Sequence, residues 1–190
     1  MIDNDQNANG IILRLLELDA IKGSVLEIGC GLGKNVLHIS GSGYPALGID
    51  LSGEKISIAR QKAQLMLARR GVCARFKQCG LFQLETLSEI FYTIIDSGNL
   101  QNMEPGKQRQ FLFSMYQILE PDGSAILIIP AGVSNESARI GSNRFSWLEE
   151  LILPGFNLTS IVDNFKKTSE DDSTNQDTAV ILKKKENWNE

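Results

Sequence analysis

The stretch Val25–Asn35, with the sequence VLEIGCGLGKN, places the strongest constraint on how this chain folds. An apolar run is followed by glycines at alternate positions, Gly29, Gly31 and Gly33, and then by residues typical of a helix start. Glycine allows sharp turns and lets a ligand approach the main chain without a Cβ in the way. The N–H groups at a helix start attract polar ligands. The stretch therefore predicts a cofactor-binding loop between the first strand of an α/β sheet and a helix.

The spacing of these glycines separates one kind of cofactor from another. The fingerprint of dinucleotide-binding loops is G-x-G-x-x-G, whose third glycine allows close packing of helix on strand. Here Lys34 stands at that third position, and the glycines follow the spacing G-x-G-x-G after Glu27. A nicotinamide-dependent oxidoreductase is therefore a disfavoured alternative. An ordinary tight turn is another alternative, because glycine is common in turns.

A second motif ends in Asp50. The apolar run 46–49 predicts a strand, and Leu51, Ser52 and Gly53 predict the start of a helix. In doubly wound nucleotide-binding sheets, a carboxylate at the end of the second strand accepts hydrogen bonds from ribose hydroxyls. We therefore interpret Asp50 as a ribose ligand. The alternative is that Asp50 caps the helix together with Ser52, since both residue types are good N-caps.

Length and composition indicate one globular domain over residues 1–190, with a flexible N-terminus over residues 1–10. The sequence has no apolar run of about 18 residues, which a membrane span requires. Its polar, acidic first residues do not fit a secretory signal. The three cysteines lack metal-binding spacing, which favours a cytoplasmic location and predicts no metal site. The net charge of −4 disfavours nucleic acid as a partner.

Strand-like apolar runs alternate with helix-like segments along the chain. Beyond residue 50, this pattern predicts helices over 55–70, 84–90 and 107–119, the last stopped by Pro121, and strands over 74–78, 91–96 and 124–129. Such alternation is typical of a parallel sheet with helices on both faces. The strand-like runs 157–166 and 178–185 have no helix between them, which predicts a C-terminal hairpin.

Four motifs together resemble those of class I S-adenosylmethionine-dependent methyltransferases, in particular the small bacterial proteins related to the thiopurine methyltransferase group. The motifs are Glu27–Gly33, Gly48–Ser52, Asp96–Gly98 and Leu119–Gly123. The resemblance implies an α/β, Rossmann-like fold with a mostly parallel seven-stranded sheet, helices on both faces and a C-terminal antiparallel hairpin. It also implies S-adenosyl-L-methionine as the cofactor, bound by Glu27, Gly29, Cys30, Gly31, Gly33, Asn35, Asp50, Leu51, Gly80, Leu81, Asp96 and Ser97.

The sequence departs from that family at three places. Gly80 stands where relatives commonly carry an acid that binds the adenine amino group, so backbone and apolar groups such as Leu81 would hold the adenine. Gln101 lies in a stretch where relatives often carry a histidine, and the single histidine, His38, is predicted on a helix face. The N-terminal segment that usually covers the cofactor is nearly absent. This predicts a site that is open, or that is closed by a homodimer or a partner protein.

The implied reaction is methyl transfer to a small-molecule acceptor, with the protein holding nucleophile, methyl group and leaving sulfur in line. Asp96 is the candidate catalytic residue, which would take a proton from the acceptor or bind the cofactor's amino group. A turn-forming role is the alternative for Asp96. Residues 99–106 and 131–145 would line the acceptor pocket, with Arg139 and Arg144 as candidate partners of an anionic acceptor. A non-catalytic S-adenosylmethionine-binding subunit or regulator with the same fold is the alternative function.

Overall fold

The computed structural model describes residues 9–130, 146–163 and 177–188 of the chain. The helices of this part are α1 (Gly10–Glu17), α2 (Lys34–Gly41), α3 (Gly53–Arg70), α4 (Pro105–Ile118) and α5 (Ser146–Ile152). The strands are β1 (Val25–Ile28), β2 (Ala46–Asp50), β3 (Ala74–Gln78), β4 (Phe91–Asp96), β5 (Leu119–Ile129), β6 (Phe156–Asp163) and β7 (Thr178–Lys184). Two short 3-10 helices, Leu84–Leu87 and Leu100–Asn102, lie before and after β4.

The strands form one seven-stranded sheet in the order β3-β2-β1-β4-β5-β7-β6. The neighbours from β3 to β5 run parallel, and β7 runs antiparallel between β5 and β6. The predicted fold class is therefore confirmed, including the C-terminal hairpin. Because β7 pairs with β5, the hairpin extends the parallel sheet rather than standing apart from it.

The carboxyl ends of three strands meet at one edge of the sheet. Ile28, at the end of β1, pairs with Ile49 of β2 on one side and with Asp96 of β4 on the other. Asp50 follows Ile49 directly, so both motif carboxylates lie at this edge. Open α/β sheets bind their ligands outside the carboxyl ends of the strands.

Apolar side chains at alternate strand positions form a core on each face of the sheet. Leu26 packs on one face in a cluster that includes Phe111 of α4. Val25 packs on the other face in a cluster that includes Ile12 of α1. All four residues of β1 are buried, and Glu27 is the charged one among them. A buried carboxylate in a central strand costs folding free energy, so packing alone does not explain Glu27.

The segment around Pro121 differs from the prediction. The last helix of that region ends before Leu119, where β5 begins, and Pro121 lies within the strand. Leu119 pairs with Phe91 and Ser124 pairs with Thr93, so the residues between them bulge out of the ladder. A bulge tolerates proline because no ladder hydrogen bond needs its missing N–H group. The helix thus ends one residue before its predicted end at Leu119, and the strand begins five residues before its predicted start at Ser124.

Two other predicted boundaries also shift. The helix predicted over 84–90 is the 3-10 helix Leu84–Leu87, which ends at Ser88, whose φ of 53° is incompatible with a right-handed helix. The strand predicted over 157–166 is β6, which begins at Phe156, and residues 164–166 lie outside the described residues. Neither shift moves a predicted site residue.

Candidate cofactor site

The three glycines of the loop after β1 have the same backbone conformation and different surroundings. Gly29, Gly31 and Gly33 have φ values of 77°, 54° and 78°, a region that residues other than glycine rarely adopt. A Cβ on Gly29 would lie 2.6 Å from Nδ2 of Asn99, and one on Gly33 would lie 2.6 Å from the Phe76 ring. A Cβ on Gly31 would meet nothing within 4 Å. Gly29 and Gly33 therefore allow close packing within the protein, and Gly31 leaves bare main chain against open space.

The N–H groups of this loop are bound within the protein. Those of Gly29 and Cys30 donate to the Ile49 carbonyl, each at 2.9 Å. That of Gly31 donates to Oδ2 of Asp50 at 3.0 Å. The sequence predicted close approach of a ligand to this loop and polar contacts at the following helix start. The three loop N–H groups themselves hold the loop against β2. What the loop offers a ligand is close approach to its main chain.

Cys30 contributes its main chain to the loop and its side chain to the core. The thiol is buried, and a Cβ on Gly48 would lie 2.8 Å from its Sγ. Burial raises the pKa of the Cys30 thiol, and the nearby carboxylates of Glu27 and Asp50 raise it further. The thiol therefore stays protonated and is a poor nucleophile.

Glu27 is a buried carboxylate with one paired and one unpaired oxygen. Its Oε1 accepts hydrogen bonds from Nδ2 of Asn35 at 2.7 Å and from Oγ of Ser97 at 2.6 Å. Its Oε2 is buried and has no hydrogen-bond partner. Burial raises the pKa of Glu27 above its usual range, against the opposing effect of the bonds from Ser97 and Asn35 and of the nearby Val36 backbone N–H. The sequence grouped Glu27, Asn35 and Ser97 from separate motifs, and the structure brings them into direct contact.

Asn35 also connects this cluster to the start of α1. Its Oδ1 accepts a hydrogen bond from the backbone N–H of Asn9 at 2.8 Å, and Nδ2 of Asn9 donates to Oδ2 of Asp177 at 2.6 Å. Asn9 caps α1 by accepting from the N–H of Ile11. A cavity of about 450 Å³ lies beside this connection, lined by Asn9, Cys30, Leu32, Lys34 and Asn35. Residues 1–8, the rest of the segment predicted to be flexible, lie outside the described residues.

Asp50 braces the loop, and Ser52 caps α3. Oδ1 of Asp50 accepts from the N–H of Ser52 at 2.8 Å, and Oδ2 accepts from that of Gly31 at 3.0 Å. The helix cap is the Ser52 hydroxyl, which accepts from the N–H of Lys55 at 3.3 Å. Asp50 is partly exposed, so its oxygens retain lone pairs that face solvent. Leu51, 71% exposed, presents an apolar side chain beside it.

The turn after β3 lies beside Asp50 and contains a residue that the sequence did not single out. The N–H of Cys79 donates to the Asp50 carbonyl at 3.1 Å, which ties this turn to β2. Leu81 is half-buried and packs against the core. A Cβ on Gly80 would lie 3.2 Å from Oε1 of Gln83, so the Gln83 amide lies where an acidic side chain would begin. The backbone bond from the N–H of Gln83 to the Gly80 carbonyl closes the turn. A glutamine close behind Gly80 was the signal available in the sequence.

Asp96 has both carboxylate oxygens engaged in its own turn. Oδ1 accepts from the backbone N–H of Asn99 at 3.1 Å and from its Nδ2 at 2.7 Å. Oδ2 accepts from the N–H of Leu100 at 2.9 Å. The side chain is fully buried, and burial raises the pKa of Asp96. This geometry agrees with the turn-forming alternative, and a catalytic role for Asp96 stays a prediction.

Several predictions concern other parts of the chain. Segment 131–145, with Arg139 and Arg144, lies outside the described residues. His38 lies exposed on α2, as predicted. In residues 9–130, 146–163 and 177–188, no group of three or more His, Cys, Asp or Glu side chains could hold a metal ion. No helix in the same three ranges is long and apolar enough to span a membrane.

Residues 25–123 match the family described as methyltransferase domain. The chain belongs to the methyltransferase domain family. The matched residues contain the glycine loop, Asp50 and the Asp96 turn. Membership agrees with the predicted class, S-adenosylmethionine-dependent methyltransferases, and with the predicted cofactor.

Similar proteins include one curated enzyme and two solved structures. The 2-heptyl-1-hydroxyquinolin-4(1H)-one methyltransferase of Mycobacteroides abscessus is 27% identical over 119 residues, which cover 62% of this chain and 51% of that protein. Magnesium protoporphyrin IX methyltransferase of Synechocystis PCC 6803, solved with bound S-adenosylmethionine, is 18% identical at a TM-score of 0.69, covering 92% of this chain and 76% of that one. A structure concerning conversion of a disulfide bond into a thioacetal group during echinomycin biosynthesis is 23% identical at a TM-score of 0.76, covering 98% and 85%.

The structural and the sequence comparisons show different things. At such identities the two structures show a shared fold. The chain spans between 39% and 77% of the length of the first curated relatives that it matches.

Proposed function

We propose that this protein transfers the methyl group of S-adenosylmethionine to a small-molecule acceptor. The observation that carries the proposal is the bare main chain of Gly31 between two carboxylates, one of which, Glu27, has a buried oxygen without a partner. The partly exposed Asp50 is the other carboxylate, held in place by the N–H of Gly31. A ligand with an ammonium group at one end and ribose hydroxyls at the other supplies donors to both.

The residues fit this cofactor along its whole length. The unpaired Oε2 of Glu27 would accept from the amino group of its methionine part. The remaining lone pairs of Asp50 would accept from its ribose hydroxyls. The exposed side chain of Leu51 and the amide of Gln83 would hold the adenine, by apolar contact and by a hydrogen bond to the adenine amino group. When bound, S-adenosylmethionine supplies a methyl group on a positively charged sulfur, which leaves as S-adenosylhomocysteine.

A small-molecule acceptor agrees with the chemistry that the described residues offer. The Asp96 carboxylate is bound within its turn, and the Cys30 thiol is kept protonated. An acceptor that is already nucleophilic, such as a thiolate, a phenolate or a neutral amine, needs no base from the protein. The named relatives act on small organic molecules, a hydroxyquinolone and a porphyrin. We also propose, from the sequence motifs, that this protein is related to the thiopurine methyltransferase group.

Calorimetry with S-adenosylmethionine, S-adenosylhomocysteine and NAD tests the cofactor assignment. We expect the first two to bind and NAD not to bind. Asp50→Ala loses charge-assisted hydrogen bonds worth about 1.5–3 kcal/mol, so the dissociation constant should rise roughly ten- to a hundredfold. Glu54→Ala is the matched control, because it removes the same charge from an exposed position in the first turn of α3. A change of less than about threefold for Asp50→Ala contradicts its role as a ribose ligand.

Release of S-adenosylhomocysteine separates an enzyme from a non-catalytic cofactor-binding subunit. Purified protein with S-adenosylmethionine would be offered a panel of thiols, phenols, amines and carboxylic acids. We expect turnover with at least one class, and loss of that turnover in Asp50→Ala at low cofactor concentration. Cofactor binding without turnover across the panel would favour the binding subunit.

A further inference from the structure

The side-chain nitrogen of Gln101 is a buried hydrogen-bond donor without an acceptor. In the part of the chain that the structure describes, it and Oε2 of Glu27 are the buried side-chain atoms that lack a partner. Buried polar groups in folded proteins are nearly always hydrogen-bonded, so each exception requires an explanation. The proposed cofactor accounts for Glu27. Gln101 needs another ligand.

The position of Gln101 indicates which ligand that is. It lies in the 3-10 helix Leu100–Asn102 that follows β4, and its Nε2 lies close to Gly98 and to Pro130, the residue after β5. The amide therefore lies outside the carboxyl ends of β4 and β5. Glu27 and Asp50 belong to β1 and β2, on the other side of β4 in the sheet order. Gln101 thus lies beside the proposed cofactor site, on the side of β5.

The local backbone holds the amide at this position. Gly98 has a φ of 87°, and a Cβ there would lie 3.2 Å from Nε2 of Gln101 and 3.3 Å from Pro130. A larger residue at 98 would therefore press on the amide. The Asp96 carboxylate fixes the same turn through its bonds to Asn99 and Leu100. The turn is built with the unpaired donor inside it.

Gln108 is a glutamine of the same region whose side-chain amide is hydrogen-bonded within the protein. Gln108 of α4 is 8% exposed, and its Nε2 donates to the Leu100 carbonyl at 3.1 Å. Both amides are associated with the same 3-10 helix, since Gln101 belongs to it and Gln108 binds its first carbonyl. Gln108 is satisfied by the protein itself. Gln101 is not.

We propose that Gln101 is a positioning residue for the acceptor, and that its side-chain N–H binds an unprotonated carbonyl or carboxylate oxygen of that molecule. This inference rests on the proposed function. An amide nitrogen donates hydrogen bonds and takes up no proton near neutral pH, so Gln101 orients the acceptor without acting as a base. The acceptors of this enzyme therefore carry such an oxygen close to the atom that receives the methyl group. A site built to bond an oxygen rejects analogues that lack it, because its own polar group is then left unpaired.

Thermal unfolding of the full chain tests whether the donor is unpaired. Gln101→Leu removes a buried donor that bonds nothing, so its Tm should equal or exceed that of the wild type. Gln108→Leu is the matched control, because it leaves the Leu100 carbonyl without its donor and should lower the Tm by roughly 2–4 °C or more. A fall in Gln101→Leu as large as that in Gln108→Leu would overturn the proposal, since Gln101 would then be structural.

Nuclear magnetic resonance tests whether the donor binds an oxygen ligand. In protein saturated with S-adenosylhomocysteine, the side-chain NH2 signals of Gln101 are those that disappear in Gln101→Leu. Formate, the smallest carboxylate, serves as the probe, with chloride at equal ionic strength as its control. We expect a saturable downfield shift of these signals with formate and none with chloride, while the Gln108 signals stay in place. An unchanged Gln101 signal overturns the proposal.

Binding of S-adenosylhomocysteine keeps the two proposals apart. Its dissociation constant in Gln101→Leu should lie within twofold of the wild-type value, because Gln101 faces the acceptor rather than the cofactor. If wild-type protein does not bind it, the proposed function fails. If it binds and the Gln101 signals do not respond to formate, the assignment of Gln101 alone fails. For any acceptor found by turnover, Gln101→Leu should raise KM at least fivefold.

Discussion

Glu27 and Asp96 are two buried carboxylates on neighbouring strands with opposite hydrogen-bonding states. Both are almost completely buried, and burial raises the pKa of each. Asp96 accepts three N–H bonds from the turn that follows it, through both oxygens. Glu27 accepts two side-chain bonds through Oε1, and its Oε2 is buried without a hydrogen-bond partner. Burial and a perturbed pKa therefore do not distinguish a ligand-binding carboxylate from a structural one. The count of unpaired oxygens does.

At the satisfied carboxylate, Asp96, the expected effect is on stability. Asp96→Asn keeps the size of the side chain and replaces one accepting oxygen by a donor that faces another N–H group. We expect a loss of about 1–3 kcal/mol in the free energy of unfolding, measured by urea denaturation. Unchanged stability would mean that Asp96 does not hold its turn, and would return it to consideration as a catalytic residue.

The matching change at the unsatisfied carboxylate should affect binding instead. Glu27→Gln retains an oxygen for Asn35 and Ser97, so the free protein should be no less stable than the wild type. Cofactor affinity should fall by about 1.5–3 kcal/mol, the worth of a hydrogen bond to a charged group, when measured by calorimetry. If Glu27→Gln lost as much stability as Asp96→Asn and kept wild-type cofactor affinity, Glu27 would be a structural carboxylate like Asp96.

The pH dependence of stability sharpens the same comparison. The folded protein raises the pKa of Glu27 above the value of 4.5 for an unperturbed glutamate, so folding favours the protonated form. The favourable contribution of Glu27 to the free energy of unfolding is fully present below pH 4.5. It is lost as the pH rises through the raised pKa. Relative to wild type, Glu27→Gln should therefore gain stability as pH increases above about 4.5. Denaturation curves at a series of pH values check this, and a difference that shrinks with pH would contradict it.

A substitution at Gly31, whose main chain faces open space, should have a smaller effect. Gly31→Ala and Gly71→Ala place a methyl group on backbones with φ of 54° and 69°, both facing open space. Each should cost about 1–2 kcal/mol of backbone strain. Only Gly31→Ala should also weaken cofactor binding, because Gly71 ends α3 away from the strand ends. Equal affinities in the two variants would mean that no ligand lies against Gly31.

Gln83 gives the smallest expected effect. Gln83→Ala removes the amide that lies beside Gly80, and should weaken cofactor binding by about 0.5–1.5 kcal/mol, as for one neutral hydrogen bond. Gly80→Asp in the same background should restore the affinity, since it supplies the acid that resembling proteins carry there. If Gln83→Ala binds the cofactor as wild type does, adenine is held by apolar contact alone.

The sequence predicted features that depend on local pattern. The places of the glycine loop, of Asp50 and of the buried strands follow from residue spacing and apolar runs, and the structure has each of them at the predicted place. The cofactor-binding roles of the loop and of Asp50 stay predictions. It did not predict that Phe76 and Asn99 fill the space beside Gly33 and Gly29, because those contacts join distant segments. The burial of Asp96 depends on the same kind of long-range packing. The early start of β5 was not predicted, because a bulge that is visible only in the pairing of β4 with β5 lets the strand include Pro121.

The position of β7 in the sheet determines when the edge of β5 becomes paired during synthesis of the chain. β7 is the latest strand along the chain and lies inside the sheet, where Ser124 of β5 pairs with Lys183 and Phe156 of β6 pairs with Lys184. A nascent chain that has emerged only as far as β6 has β1, β2 and β4 with their site residues, while β5 presents an unpaired edge. Exposed strand edges template association with other chains, and long-range pairing is slow. The residues proposed to bind the cofactor are therefore synthesised before the strand that covers the edge of β5.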